Sequence, residues 1–120
     1  MKEIVIANLS VDFALRIIKL YKYLCNEKNE YILSKQLLRS GTSIGANISE
    51  SEHAQSTADF ISKLYIALKE ANETKYWLTL LTKSEYLTEV ENESIMSDLR
   101  IIIGTLVNTI KKIKSKENGL

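Results

Sequence analysis

The sequence predicts an all-α protein, an antiparallel up-and-down four-helix bundle. The 120 residues contain no proline, so no position forbids helix outright. Apolar residues also recur at spacings of three and four over separate segments of the chain. Short polar connections between such segments place successive helices side by side and antiparallel. We expect one domain, residues 1–120, with helices at about 10–26, 34–53, 57–84 and 89–115.

The first helix is predicted to begin at Ser10, because serine favours the N-cap position, and to end near Asn26. Three basic residues, Arg16, Lys19 and Lys22, lie off its apolar stripe. The polar run NEKNEY then fits a connection to the second helix. The residues of the apolar stripe are Ala14, Ile17, Ile18, Tyr21, Leu24 and Cys25.

The second helix contains RSGTSIGANISESE, a stretch rich in glycine and serine. A phosphate-binding loop would need a strand before the glycines and a lysine after them, and this segment has neither. A glycine inside a helix costs roughly 0.5 to 1 kcal/mol relative to alanine. We therefore interpret Gly41, Gly45 and Ser49 as a track of small residues that allows another helix to come close. The apolar and small residues that share this face are Leu37, Leu38, Gly41, Ile44, Gly45 and Ile48.

The third and fourth helices have the clearest signals. Ser56 is a suitable cap for the third helix, and Thr88 followed by Glu91 fits the capping-box pattern at the start of the fourth. The third apolar stripe consists of Phe60, Leu64, Ala67, Ala71, Thr74, Leu78 and Leu81. The fourth consists of Ile95, Leu99, Ile102, Leu106, Ile110 and Ile113.

The overall charge does not point to nucleic acid or to anionic lipid. Sixteen basic and 15 acidic side chains give a net charge of +1, so any such binding has to come from a local patch. The lysines that end the fourth helix complement its dipole, and they are equally suited to contact phosphates. Both interpretations stay open. The candidate nucleic-acid contacts are Arg16, Lys19, Lys22, Lys111, Lys112, Lys114 and Lys116.

No residue pattern predicts a catalytic, metal or cofactor site. A di-metal bundle needs two Glu-x-x-His pairs. The segment ESEH, which ends at His53, is one such pair, but His53 is the only histidine in the sequence. Cys25 lies on an apolar stripe, where it is expected to act as a small buried hydrophobe. We therefore predict no enzyme activity. The apolar runs fall short of the roughly 20 residues that span a bilayer, and we expect no membrane contact and a cytoplasmic location.

Polar residues are predicted to set the pairing of the second and third helices. If the turn between them lies near residues 53–55, Arg39 falls opposite Glu70 and Asn47 opposite Ser62. A half-buried ion pair at this position would fix the register of the two helices. The members of this expected structural cluster are Arg39, Ser43, Asn47, Glu50 and Glu70.

Tyr76 and Trp77 are adjacent, so both cannot point into one core. At least one large aromatic side chain is therefore expected at the flank or the surface of the third helix. Three interpretations remain open, namely an interface for self-association, packing at the edge of the core, and base stacking.

Two segments, LLRSGTSIGANISE and ADFISKLYIALKEANETKYWL, resemble the signature of a four-helix bundle family encoded in intervening sequences of bacterial 23S ribosomal RNA genes. The resemblance covers roughly Phe13 to Leu87. It implies an up-and-down bundle and a ring-like homopentamer, with no defined catalytic residues. The residues that carry it are Arg39, Ser43, Ile44, Asn47, Ile48, Glu50, Phe60, Ala67, Leu68 and Glu70.

The chain is also similar to the accessory proteins of diversity-generating retroelements, which are basic bundles that bind nucleic acid and a reverse transcriptase. Many members of the intervening-sequence family carry several basic residues after the second helix. This chain has no lysine or arginine between Gly41 and Lys63. The resulting hypothesis is a non-enzymatic, self-assembling adaptor for an RNA or ribonucleoprotein partner. The alternative is an accessory protein that binds RNA or DNA phosphates through local basic patches.

Overall fold

The computed structural model describes residues 2–117, and the side chains of residues 6–117. Within this range the chain forms four helices and no strand. Consecutive helices pack against each other, and the fourth packs back on the first, in a body of 52 × 23 × 20 Å. This confirms the all-α four-helix bundle. The helices are α1 (Lys2–Lys28), α2 (Leu33–Ser51), α3 (Thr57–Lys83) and α4 (Glu89–Glu117).

The predicted start of α1 at Ser10 is wrong. The helix begins at Lys2, and Ser10 lies in its interior, where its hydroxyl donates a hydrogen bond of 2.8 Å to the carbonyl of Ala7. Ser10 is buried against α2, so its small size is what the site requires. The buried face of α1 also differs from the predicted stripe. Four residues of that stripe are only half-buried, namely Ala14, Ile18, Tyr21 and Cys25. The buried residues of α1 are Ile6, Ser10, Phe13, Ile17, Leu20 and Leu24.

Two glycines of α2 allow α1 to pack unusually close. A Cβ atom on Gly41 would lie 2.8 Å from Cγ2 of Ile17, and one on Gly45 would lie 3.1 Å from Oγ of Ser10. Real Cβ contacts are rarely as short as the second distance and essentially never as short as the first. The lack of side chains at these two positions therefore leaves room for α1, as the pattern of small residues indicates. Ser49, the third residue of that pattern, is exposed and does not extend this contact.

The start of α2 is held by a buried carboxylate that the sequence analysis did not single out. Glu30 is 7% exposed, and it accepts hydrogen bonds from the backbone N–H groups of Ile32, Leu33 and Ser34 at 3.2, 3.0 and 2.7 Å. The hydroxyl of Ser34 donates back to the Glu30 carbonyl at 2.8 Å. The N–H groups in the first turn of a helix have no partners within the helix, and here the Glu30 carboxylate accepts their hydrogen bonds.

The predicted caps of α3 and α4 are confirmed. The N–H of Asp59 donates to Oγ of Ser56 at 3.0 Å. The N–H of Glu91 donates to Oγ1 of Thr88 at 3.1 Å, and the N–H of Thr88 donates to Oε1 of Glu91 at 2.9 Å, which completes a capping box. These bonds define where both long helices begin.

Candidate interaction surfaces

The structure brings part of the predicted polar cluster together on one side of the α2–α3 pair. Nη1 of Arg39 lies 3.3 Å from Oε1 of Glu70, and Nη2 of Arg39 binds Glu73. The indole Nε1 of Trp77 donates to the same Glu73 at 3.0 Å. One guanidinium thus joins two carboxylates that are one turn apart on α3. The pairing with Glu73 was missed because Arg39 reaches further along α3 than the residue directly opposite it.

Two buried hydroxyls lie beneath this cluster. Oγ of Ser40 and Oγ1 of Thr74 are 2.9 Å apart, and neither residue has any exposed surface. Thr74 also lies 2.8 Å from the carbonyl of Glu70 in its own helix. A satisfied polar contact inside an apolar core favours one register of α2 against α3. This contact is closed to solvent and therefore offers nothing to a ligand.

The remaining members of the predicted cluster do not bind the Arg39 guanidinium in this structure. Ser43 donates to the carbonyl of Arg39 at 2.6 Å, and Asn47 donates to the carbonyl of Ser43 at 2.9 Å, so both bonds stay within α2. Glu50 accepts from Lys63 of α3 at 2.8 Å, and this contact raises the pKa of the lysine. Arg39 and Glu50 are therefore the members of the predicted cluster on α2 whose side chains form ion pairs with α3.

The predicted basic residues fall into two groups that lie apart along the bundle. Arg16 binds Asp98 at 2.7 Å, which places the basic part of α1 beside the first half of α4. The lysines at the end of α4 begin 13 residues beyond Asp98, a distance of about 20 Å along the helix. Arg16 is bound within the chain, and Lys114 donates to the hydroxyl of Tyr65 at 3.1 Å. The exposed residues of the two groups are Lys19, Lys22, Lys111, Lys112, Lys114 and Lys116.

The adjacent aromatic residues of α3 differ in their surroundings. Tyr76 is 56% exposed, whereas Trp77 is half-buried and packs against the core. Their ring centroids are 5.1 Å apart, with planes at 66°, an edge-to-face contact. Tyr76 is therefore the one that remains available to a partner, and its use as an interface stays a prediction.

A family model described as 23S rRNA-intervening sequence protein matches residues 2–108. The chain belongs to this family. None of the curated proteins matches the chain.

A solved structure is similar to this chain over most of its length. The chain is similar to a crystal structure of a Bacteroides thetaiotaomicron VPI-5482 protein, described as having unknown function and coming from the S23 ribosomal protein family. The two share 58% identity with a TM-score of 0.91, and the match covers 92% of this chain and 99% of the other.

Two depressions lie on the surface of the described part of the chain. A groove of about 550 Å³ between α1 and α4 includes Arg16, Lys19, Tyr23, Val90 and Glu91 in its lining. An open depression of about 590 Å³ lies at the α2–α3 turn. Neither is lined by histidine or cysteine. Within residues 6–117, no three of the His, Cys, Asp and Glu side chains come together to hold a metal ion.

Large apolar side chains are exposed on the outside of two neighbouring helices. Val11 and Leu15 of α1 are 56% and 59% exposed, and Ile101 of α4 is 54% exposed. These residues lie off the apolar stripes predicted for α1 and α4. Val11 and Leu15 nevertheless give a signal in the sequence, because they are four residues apart and share a face of α1. Within the described helices, no stretch combines the length and apolar character that crossing a bilayer requires.

Proposed function

We propose that this 23S rRNA-intervening sequence protein is a non-enzymatic bundle that associates with copies of itself and acts as a cytoplasmic adaptor. The observation that carries the proposal is the exposure of Val11, Leu15, Tyr76 and Ile101, each more than half accessible on an outer helix face. Burial of such side chains against a partner releases their apolar surface from water. Aromatic and aliphatic residues that are accessible in the single chain are typical of subunit interfaces.

The polar residues also favour an adaptor over an enzyme. Glu70 and Glu73, two carboxylates one turn apart on α3, both bind Arg39. A catalytic acid or base needs access to a substrate. These two side chains instead bind Arg39 and hold α2 against α3.

Self-association is tested by sedimentation velocity over a range of protein concentrations. We expect a species several times heavier than the 13.7 kDa chain, five times heavier if the ring that the family resemblance implies is formed. A chain that sediments at the mass of one copy at every concentration contradicts the proposal. Absorbance ratios recorded on the same sample identify any nucleic acid that copurifies.

A second candidate function is nucleic-acid binding through the end of α4. Lys111, Lys112 and Lys116 are exposed there, and Lys114 lies over the ring of Tyr65, with Nζ 5.4 Å from the centroid. This places positive charge beside an accessible aromatic ring, a combination that suits single-stranded nucleic acid.

We expect the variant Lys111→Ser with Lys116→Ser to bind a fluorescent single-stranded RNA more weakly and with a shallower salt dependence. The slope of log affinity against log salt falls by about one unit for each phosphate interaction that the substitutions remove. Lys35→Ser on α2 is the matched control and leaves both quantities unchanged. Absence of binding by the unaltered protein at low salt contradicts this second function.

A further inference from the structure

Gly104 of α4 has no role within its own chain that explains why this position carries no side chain. It is exposed, and a Cβ atom placed there would meet nothing within 4 Å. Gly41 and Gly45, by contrast, each face a close neighbour on α1. A glycine in a helix interior makes the helix less stable than alanine would. A surface glycine with open space above it therefore suits close approach by a different molecule.

The outer face of α4 carries a stripe with an apolar centre and an acidic end. It consists of Glu93, Ser97, Ile101, Gly104 and Asn108, which repeat at spacings of three and four, and we name it the α4 stripe. Ile101 is more than half exposed, with small residues on either side of it. Glu93 binds Arg100 of its own helix at 2.7 Å, and the exposed Glu89, one turn before it, adds a second negative charge to this end.

The outer face of α1 carries a stripe of matching character. It consists of Val11, Leu15, Ile18 and Lys22, and we name it the α1 stripe. Its centre presents two large aliphatic side chains that are more than half exposed. Its end is basic, because Lys19 lies beside Lys22. The α4 stripe thus offers small residues and acids where the α1 stripe offers large residues and bases.

The two stripes match in height along the bundle as well as in character. The Arg16–Asp98 ion pair places residue 16 of α1 level with residue 98 of α4, and the two helices run in opposite directions. Two bundles that stand side by side, pointing the same way, therefore place Leu15 of one between Ser97 and Ile101 of the other. Val11 falls beside Ile101 and Gly104, and Lys19 and Lys22 fall near the acidic end.

We propose that the α4 stripe binds the α1 stripe of a second copy of this chain. The inference rests on the self-association proposed above and assigns its surface. Large side chains of one copy fill the space above Gly104 of the next, and opposite charges meet at the same end of the contact. Complementary charge at the edge of an apolar contact fixes its register and rejects other arrangements.

Such a contact joins two different surfaces, so each copy uses its α4 stripe with one neighbour and its α1 stripe with another. Adjacent helices of a four-helix bundle face outward about a quarter turn apart. A repeated contact of this kind builds a ring when the rotation from one copy to the next divides a full turn, and an open fibre when it does not.

Replacing Gly104 with glutamine separates folding from assembly. Because the space above Gly104 is open within the chain, Gly104→Gln is expected to keep or raise the thermal midpoint at protein concentrations where only single copies are present. The same side chain blocks the neighbouring α1 stripe, and the concentration needed for assembly rises at least tenfold. Ser62→Gln, at an exposed position of α3, is the matched control and assembles normally. A Gly104→Gln protein that assembles like the unaltered chain overturns the assignment.

Disulfide trapping identifies the surfaces directly. In a Cys25→Ala background, an equimolar mixture of the single variants Leu15→Cys and Ser97→Cys is expected to form a covalent dimer on mild oxidation. Each single variant alone stays uncrosslinked. Self-crosslinking of Ser97→Cys overturns the proposal, because it indicates contact between two α4 helices. If the unaltered protein assembles and the mixture does not crosslink, only this interface is wrong. If the unaltered protein sediments as one copy, the self-association itself is wrong.

Discussion

Replacing Gly41 with leucine is expected to lower the free energy of unfolding by about 3 kcal/mol. The first atom of the new side chain would already lie 2.8 and 2.9 Å from the two branch carbons of Ile17. Ile17 has no exposed surface, so it cannot move away into solvent. The helices α1 and α2 must separate, and the core between them loses its close packing. Urea unfolding followed by circular dichroism measures the change, at one protein concentration because association affects apparent stability.

A double-mutant cycle shows whether the cause is the contact with Ile17. Ile17→Ala alone is expected to cost about 2 to 5 kcal/mol, because it leaves a cavity in the core. In the double variant the leucine at position 41 occupies that cavity, so the loss is smaller than the sum of the single losses by at least about 1 kcal/mol. Additive losses would contradict the explanation by direct contact.

Replacing Glu30 with alanine is expected to lower the free energy of unfolding by about 2 kcal/mol. The substitution removes the acceptor of all three backbone N–H groups that this carboxylate binds at the start of α2. The site is nearly closed to solvent, so water replaces those bonds poorly. Glu30→Gln is expected to cost less than alanine, because its single amide oxygen still accepts from one side.

Glu27→Ala is the control for the loss of a negative charge in the same region. Glu27 is exposed in the last turn of α1, and its replacement should change the stability by no more than about 0.5 kcal/mol. Denaturant unfolding of the two variants side by side makes the comparison. Equal stability of Glu30→Ala and Glu27→Ala would show that the bonds at the start of α2 contribute nothing.

The four helices could be predicted because they depend on the spacing of apolar and capping residues that are close together in the sequence. The stripes of α3 and α4 are nearly those observed, and the caps at Ser56 and Thr88 follow from neighbours three residues away. Ser10 misled the prediction for the same reason. Serine has a strong local preference for the N-cap position. Here, however, a small residue is needed because Ser10 packs against Gly45, which lies 35 positions later in the chain. Local spacing contains no information about that partner.

The surfaces were harder to predict than the core. The register that places Arg39 near Glu70 follows from the length of the turn, whereas the reach of the guanidinium to Glu73 depends on side-chain conformation. The sequence lists the basic residues of α1 and α4 without their relative positions. The packing of α1 beside the first half of α4 shows that the two groups lie apart along the bundle. The sequence cannot show that the space beside Gly104 is empty, because this depends on how the helices pack.

The packing of α4 on α1 has a consequence for how the chain reaches its native state. The contacts between consecutive helices join segments that a short turn already holds together, so each costs little entropy to form. The α1–α4 contact joins the most distant parts of the chain, as Arg16 and Asp98 do across 82 positions. Folding speed falls as contacts between distant parts of the chain become dominant, and here the most distant ones lie along one seam. The bundle is therefore expected to grow hairpin by hairpin and to close along α1 and α4 last.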